Sequence, residues 1–146
     1  MATSIVSLDL KPYRRAVALV LALTAIAKFI SLARHDRLLG QNDALFGIPL
    51  FGLVLLVALV EVLLVLVLLT GADAQSMLWL IHGFASVLIG YRLSGWALGQ
   101  SMCPCLGGGT AWWPWLDAHQ SQVTLTIALW LWMSSIVLLG TRERNR

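Results

Sequence analysis

Residues 48–70 read IPLFGLVLLVALVEVLLVLVLLT, an apolar run interrupted by a single ionisable side chain, Glu61. About 20 such residues span the hydrocarbon of a bilayer as a helix, whereas strands and core helices of soluble domains rarely need so many. Working outward, three more runs of that kind follow the same rule: Ala16–Ala33, Met77–Gly99 and Gln122–Gly140. Lipid supplies no partners for backbone N–H and C=O groups, so each run is expected to be a helix. The breaks between them are polar: Arg34-His35-Asp36-Arg37 through Gln41-Asn42-Asp43, then Gly71-Ala72-Asp73-Ala74-Gln75, then a long segment from Gln100 to Ser121.

Composition agrees. The chain of 146 residues is 59% hydrophobic and 12% charged, with a mean hydropathy of +0.83, where soluble domains carry about 25% charged residues. The expected fold class is an all-α integral membrane protein, a bundle of four transmembrane helices forming a single domain over residues 1–146. There is no basic stripe suited to nucleic acid, and no repeat or low-complexity segment.

Flanking cations give the bundle a direction. Lys11, Arg14 and Arg15 precede the first span, and Arg142, Arg144 and Arg146 follow the last. On the other side only Arg34 and Arg37 flank the spans, so the count is six against two. Adding Lys28 and Arg92 to that side narrows it to six against four without reversing it. Both termini are therefore expected in the cytoplasm, with the third loop outside a cell inner membrane. Lys11 to Arg15 followed by an apolar run ending Ala25-Ile26-Ala27 also fits a cleaved secretory signal covering residues 1–27. The run continues through Phe29-Ile30, which suits a retained span better.

The outward loop holds the chemistry. Cys103-Pro104-Cys105-Leu106-Gly107 contains the chain's two cysteines. Proline fixes its own φ and pushes Cys103 toward an extended conformation. Cysteines at i and i+2 have Cα atoms about 5.5–7 Å apart, the upper part of the range a disulfide allows. A bond closed there is strained and easily exchanged, and so short a ring makes a poor structural staple. Leu106 and the glycines after it provide a flexible exit. Three readings stand side by side. The pair is redox-active; or it binds Cu(I), with His119 on the same loop as a further ligand; or it is inert. Either cysteine can attack; Cys105 is the choice here, with Cys103 resolving, because the following proline holds Cys103.

Lys28, Glu61 and Arg92 lie inside apolar runs, where an isolated charge costs on the order of 2.5–3.5 kcal/mol. Lys28 and Arg92 fall within roughly 10 Å of the outer surface and Glu61 about 7–9 Å deeper. Either cation can snorkel outward or pair with Glu61. The third span carries Ser86, Gly90 and Ser94 at intervals of four after Gly83, a pattern that lets helices approach closely. His82 is expected as a satisfied structural histidine. Trp79, Trp96, Trp112, Trp113 and Trp115 fall near the interfaces, where indoles find both apolar and polar partners. Trp112, Trp113 and Trp115 surround Pro114 close after the cysteines, so they are also candidates for a lid over the thiols or a surface for a quinone ring or partner protein. Trp130 and Trp132 fall mid-span and are expected to pack in the bundle.

A Cys-x-Cys-(Phe/Leu)-Gly motif after the third of four spans resembles the MauE branch of the DoxX-like, redox-associated membrane proteins. Lys28 in the first span, Glu61 in the second and Tyr91-Arg92 in the third match the same pattern, and the likeness runs from about Tyr13 to Gly140. Family members usually carry Gly where this chain has Pro104, and often Phe where it has Leu106. The resemblance implies support of disulfide formation, or electron supply, for an exported thioredoxin-like or disulfide-bearing partner. The layout is also similar to the quinone-linked four-helix oxidoreductases of the DsbB and vitamin K epoxide reductase type. Those relay electrons through a second cysteine pair, which this chain lacks, so the cofactor stays open between a quinone and, in the metal reading, copper. A non-catalytic scaffold built on the small-residue face is the remaining alternative.

Overall fold

The computed structural model describes residues 10–34, 37–43, 45–71, 73–99 and 114–144. Four helices account for most of them: α1 Lys11–Ala33, α2 Leu50–Thr70, α3 Ala74–Ala97 and α4 Pro114–Arg144. Each contains a stretch long and apolar enough to cross a membrane, the last over Ser121–Thr141. The protein is therefore a multi-pass, all-helical membrane protein.

The helix ends follow local chemistry. Pro12 sits in the first turn of α1, where a missing N–H costs nothing and the fixed φ already suits the helix. Gly71 closes α2 in the left-handed region, at φ 85°, which a residue without a Cβ enters freely. Asp73 then caps α3, its carboxylate accepting from the Ser76 N–H at 2.9 Å. The α4 helix begins at Pro114, about two turns before the start of the membrane span expected at Gln122. Proline at a helix start is the same device as at Pro12, and it moves Trp115 and His119 from the expected loop onto a helix.

The helices pack as two close pairs, α1 along α2 and α3 along α4, while α2 and α3 touch at few places. On α1 the buried face runs through Ala18, Leu21, Ala25, Lys28 and Leu32. On α2 it runs through Val54, Ala58, Glu61, Leu64 and Leu68. Both repeat at steps of three and four, one stripe of a helix. At the end of the bundle nearer the termini all four helices meet around Val17, Leu21, Leu68, Leu78, Ile81 and Leu131. The Tyr13 hydroxyl and Ser134 Oγ, 3.0 Å apart, tie α1 to α4 there. Outward faces carry Leu19, Leu23, Leu59, Leu63, Leu66 and Val137, all more than half exposed. Such a surface suits lipid and not water.

The small residues of α3 do not behave as expected. Gly83 and Gly90 are exposed and pack closely against no other helix, and a Cβ on either would meet nothing within 4 Å. The buried stripe of α3 instead passes through Leu78, Ile81, Ala85 and Arg92, so Ala85 is the small residue at the contact. His82 and Ser86 serve the α4 contact. The His82 ring stacks on Trp132 with Nδ1 3.2 Å from Ser135 Oγ, and Trp132 Nε1 donates to Ser86 Oγ at 3.1 Å. Trp132 thus packs in the bundle, whereas Trp130 is 43% exposed and lies tilted against Tyr13, the ring centroids 6.2 Å apart. Neighbouring positions on a helix point about 100° apart, so two mid-span tryptophans separated by one residue cannot both face inward.

Candidate functional site

Between the helix pairs lies a cavity of about 600 Å³. Its walls come from all four helices: Leu21, Leu53, Val57, Phe84, Leu88 and Ile127 are representative. Lys28 and Glu61 supply its charged groups, with Thr24 one turn before Lys28 on the same wall.

Lys28 Nζ donates to both carboxylate oxygens of Glu61, at 2.8 and 2.9 Å, and the two residues are only 4% and 3% exposed. Each lies on the inward stripe of its helix, so the α1–α2 contact itself brings them together. A charge removed from water is tolerated when paired and hydrogen-bonded, and a bidentate contact satisfies both carboxylate oxygens at once. Snorkelling of Lys28 is thereby replaced by pairing.

Arg92 does not join this pair. It is 5% exposed, and its guanidinium lies over the Trp96 ring, 5.8 Å from the centroid. The face of an indole attracts a cation. Among the described residues, Arg92 Nε and Nη2 are buried without a hydrogen-bond partner, as is Ser31 Oγ.

The loop between α1 and α2 covers one end of the cavity. A short 3-10 turn, Arg37–Gly40, leads to a bridge between Asn42 and Pro49. Inside it, Asp43 Oδ1 accepts from the N–H groups of Leu45 and Phe46, both at 2.9 Å, and Gly47 turns the chain at φ 67°. The other carboxylate oxygen accepts from the Tyr91 hydroxyl of α3 at 2.5 Å, while Phe46 stacks on the Tyr91 ring. Burial of Asp43 by itself pushes its carboxyl up, but the bonds from Tyr91, Phe46 and Leu45 outweigh it and hold the group below the ordinary carboxylate range. This contact fastens the α1–α2 loop to α3, across the gap between the helix pairs.

Of the residues singled out in the sequence, Lys28 and Glu61 meet at the cavity wall and Arg92 stands apart. Cys103, Cys105, Trp112 and Trp113 lie outside the described residues. Trp115 falls on the first turn of α4 and His119 on its second. Among the described residues no three His, Cys, Asp or Glu side chains gather as a metal site. Asp43, Tyr91's hydroxyl and Thr24 were not singled out as site residues. Asp43 follows Asn42 in a polar turn, a local signal for a side chain that binds its own backbone, but nothing local names Tyr91 as its second partner. Compared with protein-family models, curated proteins and solved structures, the chain matches none.

Proposed function

We propose that this chain is a membrane thiol–disulfide redox protein, serving an exported thioredoxin-like or disulfide-bearing partner through Cys103 and Cys105. The observation that carries the proposal is the Cys-Pro-Cys itself: the chain's two cysteines are one residue apart, in the segment joining two membrane-crossing helices. The excess of Lys and Arg beside the termini supports a location in the cell inner membrane with both termini cytoplasmic and the cysteines outside, where disulfides persist. Likeness to the MauE branch points the same way.

In the exchange, a partner thiolate attacks one sulfur of the Cys103–Cys105 disulfide and forms a mixed disulfide. The partner's second thiolate then displaces the sulfur of this chain. Two electrons pass to the pair, the two partner thiol protons end on Cys103 and Cys105, and the partner leaves oxidised. The reverse sequence reduces the partner. No further reactant is needed for either half.

Alkylation of intact membranes with an impermeant thiol label, before and after mild reductant, tests the proposal. Two thiols that label from outside only after reduction are expected. Unchanged thiol exchange with exported proteins in both the Cys103→Ser and the Cys105→Ser variants overturns it.

A further inference from the structure

Membrane helices normally close on each other to the density of an organic crystal, leaving few voids larger than a water molecule. The space between the helix pairs here is about 600 Å³, within the range of about 300–1,000 Å³ typical of small-molecule sites. We propose that this cavity binds an uncharged, long-chain lipophile whose head carries a hydrogen-bond-accepting carbonyl, held by Lys28.

Depth selects the charge of the head. Lys28 lies about 7–8 Å from the Ala33 end of α1, and Glu61 about 16 Å from the Leu50 end of α2, by the rise of the helix. A phosphate drawn to that level leaves its water behind, at the cost that excludes charges from the hydrocarbon. An uncharged head does not.

Donor arithmetic selects the carbonyl. An ammonium has three N–H donors, and the two oxygens of Glu61 take at most two of them. A ligand carbonyl can accept the third without breaking the ion pair, whereas a ligand hydroxyl donating to Glu61 would compete with Lys28. The rest of the wall selects the tail: Leu53, Val57, Phe84, Val87 and Leu88 offer aliphatic and aromatic surface along α2 and α3. Because those two helices touch at few places, a chain can enter sideways from the bilayer.

Two classes of membrane molecule share this chemistry, an isoprenoid quinone and a diacylglycerol. The proposal does not depend on the cysteines, so binding is measured both in the native chain and in the Cys103→Ser/Cys105→Ser variant. Full-length protein is equilibrated in micelles with decylubiquinone or, separately, with dioctanoylglycerol, and the complexes are counted by native mass spectrometry. A saturable one-to-one adduct is expected with at least one probe; adduct with the first alone assigns a quinone, and with the second alone a glyceride. Gly83 lines the cavity and a Cβ there meets nothing within 4 Å, so Gly83→Leu extends a side chain into the space from an unobstructed start. It should fold normally and bind at least about tenfold more weakly. Val57→Phe provides a second filling variant. Lys28→Met/Glu61→Leu removes both charges together and should weaken binding several-fold. Saturable binding by neither probe, or binding that both filling variants leave unchanged, overturns the cavity as a ligand site. Undiminished affinity in the doubly neutral variant overturns the contact with Lys28.

Discussion

Replacing Lys28 by methionine keeps the length of the side chain and removes its ammonium, leaving the Glu61 carboxylate buried without its cation. The bond being lost is bidentate, 2.8 and 2.9 Å, between groups almost wholly shielded by α1 and α2. Breaking a buried pair from one side costs about 3–5 kcal/mol, because the surviving charge keeps its desolvation penalty. Glu61→Leu should cost less. Lys28 lies about one and a half turns from the end of its helix and has a flexible stem that can turn toward the interface. The short Glu61 side chain has no such escape. Lys28→Met/Glu61→Leu should recover most of the loss, ending between roughly neutral and about 1–4 kcal/mol more stable than the native chain. Reversible unfolding in mixed micelles, run on all four proteins as a double-mutant cycle, measures these values. Two single losses that simply add in the double variant, with coupling below about 0.5 kcal/mol, would refute the direct buried contact.

Four further outcomes are expected. Asp43 has its carboxyl held below the ordinary range, so its contribution is fully present above the unfolded value, near about 3.9, and disappears as pH falls through the lower folded value. An unfolding midpoint that declines on acidification in the native chain, and less so in Asp43→Asn, checks the sign. Asp43→Ala should lose about 1.5–3 kcal/mol in neutral solution, as expected for hydrogen bonds to a charged group, read by the same unfolding assay. Gly71→Ala places a Cβ at φ 85° and should cost about 1–2 kcal/mol, while Gly140→Ala, with open space around it, should not destabilise. Tyr13→Phe deletes the bond to Ser134 and should cost about 0.5–1.5 kcal/mol, a loss that Ser134→Ala should not deepen when the two are combined.

Much of the fold is legible from elementary physics. An apolar run of 20 residues must satisfy its backbone internally wherever it meets lipid, so four such runs mean four helices whatever their arrangement. The breaks were legible for the same reason: Gly71 and Asp73 are a helix stop and a helix start in immediate succession. The fourth span, expected over Gln122–Gly140, coincides with the apolar stretch Ser121–Thr141, but hydropathy marks where the hydrocarbon begins, and the helix itself begins earlier, at Pro114. The glycines of α3 were misassigned because spacing by four identifies a stripe without saying whether another helix lies against it.

Within the site, sequence alone determined that Lys28 and Glu61 are costly in lipid and need partners, since that cost belongs to each side chain wherever the helices go. It also placed two thiols within reach of each other, because one intervening residue limits their separation. It did not determine which cation Glu61 meets. Residues of α2 are apolar on every side, so hydrophobicity marks no inward face, and the facing stripe emerges only when α1 packs against it. The cavity and the Asp43–Tyr91 contact belong wholly to the tertiary structure. Both depend on how far apart two helix pairs stand, a distance set by side chains that are remote in the chain and meet only when it is folded.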